Sequence, residues 1–212
     1  MIGLQLGTDD LDVLCLGAHP DDIEIGCGAT LLTLTERGAK VRSVVLTGSD
    51  ARHEEARKAG LRFGSGASGL RLEQLPDGRL PAHWAAVKQL LEEVAADGPT
   101  PGLVLTPSLG DAHQDHRLVA ELAPTIWRDS LILQYEIPKW DGDLGRPTHY
   151  VGVSAELAHR KFELLHECYP SQHGRDWWLE ETFLGLMRLR GMECRSPYAE
   201  AFTARKVRLE LG

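Results

Sequence analysis

Between Leu14 and Gly28 the chain reads Leu-Cys-Leu-Gly-Ala-His-Pro-Asp-Asp-Ile-Glu-Ile-Gly-Cys-Gly, an apolar run that passes straight into metal-grade side chains and then into a helix start. Asp12 to Leu16 is short, apolar and β-prone, as expected of a strand buried on both faces. Such strands belong to parallel sheets covered by helices. Gly17-Ala18 lets the backbone turn, and His19, Asp21, Asp22 and Glu24 share the loop that follows. In an open parallel α/β sheet, ligands bind beyond the carboxyl ends of the strands, which is where these four groups fall. Pro20 fixes its own φ and biases His19 toward extended backbone, stiffening the loop. Capping of the next helix accounts for one aspartate, but not for a histidine beside two adjacent carboxylates.

The rest of the chain repeats the strand-helix alternation. A helix is expected from about Gly26 to Arg37, ended by Gly38, and a second strand over Val41 to Leu46, a spacing that implies a right-handed parallel crossover. Gly26-x-Gly28 invites a dinucleotide-binding reading, but Leu31 stands where the third glycine belongs and no acid closes the second strand at Thr47. Further helices are expected over Ala51 to Phe63, Ala82 to Ala96, Glu156 to Cys168 and Asp176 to Arg190. Further strands are expected over Leu70 to Leu75, Leu103 to Thr106, Leu131 to Ile137, His149 to Val153 and Ala201 to Leu209. The segment from Pro138 to Pro147, rich in Asp and Gly, could form a lid, and Trp177-Trp178 reads first as helix packing and second as a sugar platform. The whole describes an α/β fold: one Rossmann-like, mostly parallel sheet flanked by helices, in a single domain covering 1–212.

A second cluster follows the strand at Leu103 to Thr106. It reads Asp111-Ala-His113-Gln-Asp115-His116 and opens a helix running to about Trp127. If Asp111 caps that helix, His113 and His116 lie three apart on one face and can point at a common site. A capping role suits either acid alone, but two histidines and two acids in six residues exceed what a helix start requires. Because this loop also follows a parallel strand, it should open on the same sheet edge as His19 to Glu24.

Bulk properties narrow the partners. A formal charge of −8 argues against coating nucleic acid or an anionic membrane, both of which need a basic face, and leaves small molecules. No run approaches the ~20 apolar residues of a membrane helix, and Met1 to Asp10 lacks the form of a signal peptide, so a cytoplasmic location is expected. Homo-oligomerisation stays open. Cys15, Cys27, Cys168 and Cys194 contain no Cys-x-x-Cys pair and read as buried small hydrophobes.

Taken together, Ala-His-Pro-Asp-Asp-Ile-Glu at 18–24 and Asp-x-His-x-Asp-His at 111–116 resemble the PIG-L-like (LmbE-like) zinc-dependent N-acetylglucosaminyl deacetylases. The likeness extends to Arg52-x-x-Glu55 and to the C-terminal Tyr198-Ala-Glu-Ala-Phe202; Gly28-Ala29 stands where the family carries a glycine pair. The resemblance implies zinc held by His19, Asp22 and His116, one ion per chain, with Asp21 as general base. It implies His113 as general acid or oxyanion stabiliser, Asp115 as its orienting neighbour and Arg52 as a substrate contact. Two histidines and a carboxylate leave a fourth position for water, whose pKa zinc lowers to about 7; Fe2+ could replace zinc in such a set. A carboxylate beside His113 should hold it protonated. The implied activity is removal of acetate from an N-acetylated amino sugar. The rivals are a zinc amidase acting on a larger acyl amide, such as a thiol-glycoside conjugate, and a non-catalytic nucleotide-binding domain using Gly26-x-Gly28.

Overall fold

The computed structural model describes residues 3–7 and 10–209; the expectation for the first ten residues therefore rests partly on positions outside the described ones. Among the described residues, seven strands form one mixed sheet: β1 (Asp12–Gly17), β2 (Lys40–Thr47), β3 (Leu70–Leu75), β4 (Leu103–Thr106), β5 (Leu131–Tyr135), β6 (His149–Val153) and β7 (Tyr198–Ala204). Their order is β3-β2-β1-β4-β5-β7-β6. The first five run parallel, while β7 is antiparallel to both β5 and β6. Six α-helices of the described residues cover the sheet: α1 (Asp22–Glu36), α2 (Asp50–Phe63), α3 (Trp84–Ala96), α4 (Gln114–Ile126), α5 (Ala155–Cys168) and α6 (Glu180–Cys194).

The alternation of β1 explains the layering. Val13 and Cys15 enter a core shared with α1, α2, α5 and α6, whereas Leu14 and Leu16 enter a second core with α3 and α4. All four are fully buried. Burial of each leucine contributes ~1.5–3 kcal/mol, and a one-residue slip would exchange the two sets, so the register of β1 is fixed on both sides. The loop after β1 is thereby held at the centre of the carboxyl edge. Among the described residues no helix is long and apolar enough to cross a membrane.

Three expectations are corrected. Helix α1 begins at Asp22 rather than Gly26, because Asp21 takes a left-handed backbone (φ 108) that turns the chain into the helix directly after Pro20. Gly26 and Gly28 consequently sit inside α1 and form no phosphate-binding turn. A Cβ on Gly26 would lie 2.2 Å from the Tyr135 ring and one on Gly28 would lie 2.8 Å from Phe63, so both glycines serve close packing. Helix α6 starts four residues later than expected, after a turn at Gly174 (φ 86) and a turn closed by Trp178 N–H donating to Arg175 O at 3.1 Å. Trp177 and Trp178 therefore precede the helix: Trp178 is buried, and Trp177 is half-buried with its ring 6.0 Å from Trp140. The closing strand β7 ends at Ala204, where pairing with β5 runs out.

Candidate active site

Every group of interest stands beyond the carboxyl end of a parallel strand: His19, Asp21 and Asp22 after β1, Arg52 after β2, Asp77 after β3, Asp111 to His116 after β4 and Lys139 after β5. The two sequence clusters meet because β1 and β4 are neighbours, with Val13 opposite Leu103.

His19 Nδ1 lies 3.0 Å from His116 Nε2 and 3.4 Å from Asp22 Oδ2, and His116 Nε2 lies 3.2 Å from Asp22 Oδ1. Donors bound ~2.1 Å from a tetrahedral ion stand about 3.4 Å apart, so these atoms are spaced as three corners of such a shell. His113 also converges on His19 and His116, the three offering ring nitrogens within 4.8 Å of one another. Burial works against charge on both His19 and His116, but the carboxylates around them prevail. Asp22, Asp115 and Asp77 raise His19 to about 12, and Asp22 and Asp111 raise His116 to about 9. Burial likewise opposes the Asp22 charge, while His116 and His19 hold its carboxyl well below the usual range. The buried Asp22, Asp111 and Asp115, together with the exposed Asp77, gather positive charge at this point, the environment a divalent cation needs.

The remote ring nitrogens are faced by acids. Asp111 Oδ2 stands 2.9 Å from His116 Nδ1, while Asp77 Oδ1 and Asp115 Oδ2 stand 3.1 and 3.4 Å from His19 Nε2. Carboxylates in this position fix ring orientation and strengthen the ligand. Sequence reasoning missed both Asp111 and Asp77 in this role. The signal for Asp111 was its place in the second cluster; Asp77 sits in a Pro-Asp-Gly turn that carried none. Replacing Asp111 with Asn should weaken metal binding ~10–100-fold with the fold intact, as read by titration with a competing chelator. Wild-type affinity in that variant would show that Asp111 supports the loop alone.

Asp21 is buried, lines the cleft and is not used to complete the His-Asp-His set. Burial raises its carboxyl, Arg52 opposes the rise and Asp22 adds to it, giving about 6. Arg52 Nη2 donates to Asp21 Oδ2 at 2.7 Å and also to Pro20 O; Nη1 donates to Ser171 Oγ at 2.6 Å and pairs with Glu55. The structure thus sets Arg52, expected as a substrate contact, to holding Asp21. Glu24 turns away from the cleft, accepting from Tyr169 Oη at 2.7 Å, with burial raising it to about 7.

The pairing of Asp115 with His113 is corrected. Asp115 aims its carboxylate at the segment after β3, accepting from Gly78 N at 2.8 Å and Leu80 N at 3.0 Å, with Oδ2 3.4 Å from His19 Nε2. His113, not Asp111, caps α4: its Nδ1 accepts from Asp115 N at 3.2 Å, which leaves the proton on Nε2. Burial and the positive His19 and His116 lower the His113 pKa, outweighing Asp115 and Asp22. This direction is opposite to the expectation that a neighbouring carboxylate holds His113 protonated.

The cleft over these groups has a volume of about 690 Å³, with Arg175 and Trp177 on its outer wall. The 138–147 segment is tied down beside it, since Asp143 Oδ2 accepts from Ala112 N at 2.6 Å and from Lys139 Nζ at 2.7 Å, and Lys139 also pairs with Asp111 at 3.0 Å.

Sheet and site together define a class of α/β proteins with a cation-grade His-Asp-His set at the carboxyl edge and a spare carboxylate and histidine beside it. Residues 14–127 match the PIG-L family, described as GlcNAc-PI de-N-acetylase, and the chain belongs to that family. It is 32% identical over 144 residues to the uncharacterized deacetylase YaiS of Escherichia coli (strain K12), covering 59% of this chain and 74% of that protein. Its fold is similar to that of N,N'-diacetylchitobiose deacetylase from Pyrococcus horikoshii (TM-score 0.72, 22% identity, 92% of this chain and 84% of the other). It is also similar to that of GalB, the 4-carboxy-2-hydroxymuconate hydratase of Pseudomonas putida KT2440 (TM-score 0.71, 17% identity, 95% and 99%). Since a deacetylase and a hydratase share this scaffold, the reaction must be argued from the site.

Proposed function

We propose that this chain is a zinc-dependent hydrolase that removes the acetyl group from an N-acetylated amino sugar, with residues 1–212 acting as one domain. The observation that carries the reading is the convergence of His19 Nδ1, Asp22 and His116 Nε2 at 3.0 to 3.4 Å beside an Asp21 not spent in that set. Membership of the PIG-L family and the deacetylases among its relatives support the substrate class.

His19, Asp22 and His116 would hold one ion per chain. A divalent cation there supplies Lewis-acid polarisation of water and of the acetyl carbonyl. Asp21, with a pKa of about 6, is ionised at neutral pH and takes a proton from the attacking water. The water oxygen bonds to the carbonyl carbon, and His113 donates from Nε2 to the carbonyl oxygen as negative charge grows there. When the C–N bond breaks, Asp21 returns its proton to the amine nitrogen and its carboxylate is restored; the second water proton, left on the new carboxyl group, passes to the freed amine, so acetate and the protonated amino sugar leave. His113 Nδ1 is occupied by the Asp115 amide, so Nε2 carries the proton and is the nitrogen able to donate to that oxygen.

The pH dependence follows from Asp21. Its base form is lost as pH falls through its pKa, so kcat/KM should drop on the acid side at about pH 6, or lower where a bound cation adds its own field. Arg52 opposes protonation of Asp21, and removing it with Arg52→Met should move this acid limb to higher pH. A pH profile in which R52M keeps the wild-type limb would detach Arg52 from the base.

The decisive measurement pairs metal analysis of the purified chain with acetate release from N-acetylglucosamine glycosides. One zinc per chain and stoichiometric acetate are expected; metal-loaded protein inert toward every such glycoside would sink the reading. The 690 Å³ cleft, with half-buried Trp177 lining its wall, favours one second reading, cleavage of a larger acyl amide on the same machinery, which acyl-conjugate substrates separate from acetate release.

A further inference from the structure

Helix α1 is broken at Cys27, where φ is −143° and ψ is 21°. In an unbroken helix the N–H of Ala29 would donate to the carbonyl of Ile25. Here two charged side chains are spliced between those partners. Lys161 Nζ on α5 donates to Ile25 O at 2.6 Å and to Glu200 Oε1 at 2.6 Å. Glu200, from β7, accepts from Ala29 N at 2.9 Å through Oε1 and from Thr30 N at 2.7 Å through Oε2. Lys161 and Glu200 are each 3% exposed, deep in a layer otherwise filled by apolar side chains. Charged groups are almost never buried to this degree unless paired, and an apolar pair of equal volume is often no less stable, so stability alone is a weak reason for their presence.

What the pair does is geometric. It satisfies the carbonyl that ends the first segment of α1 and the two amides that begin the second, so both sides of the break are terminated by fixed partners. The first segment, Asp22 to Gly26, then becomes a short rigid piece with its own direction. It carries Asp22, and Asp21 stands at its head. Its far side is held by the close approach of Gly26 to the Tyr135 ring, and Tyr135 is itself anchored by Oη donating to Leu16 O at 2.6 Å.

We infer that Lys161 and Glu200 are positioning residues for the active site: by holding open the break in α1, they aim the Asp21-Asp22 pair at His19 and His116. This rests on the proposed function in so far as Asp22 is a metal ligand. Neither residue touches the cleft, and neither is assigned a role by the motifs at 18–24 and 111–116.

The test compares the wild-type chain with K161M, E200Q and the double variant K161M/E200Q. A single replacement strands a buried charge, so the double variant, which removes both, carries the test if the singles fail to fold. L91A, which opens a cavity in the opposite core under α3, controls for loss of stability alone. Three readouts are taken on folded protein: amide exchange at Ala29 and Thr30, zinc affinity by chelator competition, and kcat and KM for an N-acetylated amino-sugar substrate. The expected result is faster exchange at those two amides, zinc affinity weakened ~10–100-fold and kcat reduced more than KM, with L91A lowering Tm but leaving the other readouts at wild type. Wild-type exchange in the double variant overturns the clamp. Faster exchange with wild-type zinc affinity and kcat overturns the positioning role, because the break would then be held without consequence for the site. A wild-type chain that takes up no zinc overturns the proposed function and the positioning role with it, while exchange still reports whether the ion pair holds the break.

Discussion

Asp21→Asn leaves the metal in place and lowers kcat by ~100-fold or more, the scale on which general base catalysis contributes. The substitution is unusually clean at this position. Asn tolerates a left-handed backbone better than most residues, so the φ of 108° at the head of α1 survives. Its amide oxygen can still accept from Arg52, which holds Asp21 at 2.7 Å. What disappears is the negative charge and the capacity to take a proton from water. Metal content measured alongside turnover checks the claim. If a fully loaded D21N enzyme turns over near the wild-type rate, the base lies elsewhere, and Glu24 is a poor substitute because its carboxylate is turned to Tyr169.

The second large effect is expected from the ligand set. His19→Ala, Asp22→Ala and His116→Ala should each remove metal and activity together, by more than the ~10–100-fold that loss of an orienting partner costs, because a coordinating atom itself is deleted. Asp22→Ala should be the most severe of the three, since Asp22 Oδ2 also accepts from His19 N at 2.8 Å and shapes the loop that presents the histidine. His113→Ala separates the alternatives within the second motif: it should lose turnover and keep metal. Retention of wild-type metal in all three ligand variants, or its loss in H113A alone, would reassign the site. The folded chain should persist when the metal is chelated, because the sheet edge is fixed by the cores on its two faces and not by the ion. Circular dichroism with and without chelator reads this directly.

How much of this was legible before the structure depended on whether a residue's environment is set locally. The strand at Asp12 to Leu16, its neighbours and the convergence of the two motifs followed from hydrophobic pattern and from the rule that parallel strands present their loops on one edge. The start of α1 did not follow, because it is set by the left-handed backbone of one aspartate, a conformation no propensity assigns. The partners of the acids at 111 and 115 did not follow either. Both are near His113 in sequence, yet which ring each faces depends on how the loop after β4 meets the segment after β3, a tertiary contact. Lys161 was illegible for a related reason: on an amphipathic pattern a lysine is read as solvent-facing, and only the packed structure shows it inserted between two backbone groups, while Glu200 stood within the family-like Tyr198-Ala-Glu-Ala-Phe202 with no sign of the amides it accepts from.

The neighbouring placement of β1 and β4 also bears on how the chain is held together in time. His19 and His116 are 97 residues apart in sequence and 3.0 Å apart in space, so an ion shared between them closes a very long loop. Such a closure would oppose separation of the two strands without oxidation, because an ion held by the folded chain and not by the unfolded one stabilises the fold. Its strength is not fixed by covalent chemistry. It grows with the logarithm of the free metal concentration over the dissociation constant, adding ~2.7 kcal/mol at a hundredfold excess. With the ligand set proposed above, the resistance of this fold to opening between its first and fourth strands would be tied to the metal supply of its surroundings, and the ion would serve as a reversible staple as well as a reagent.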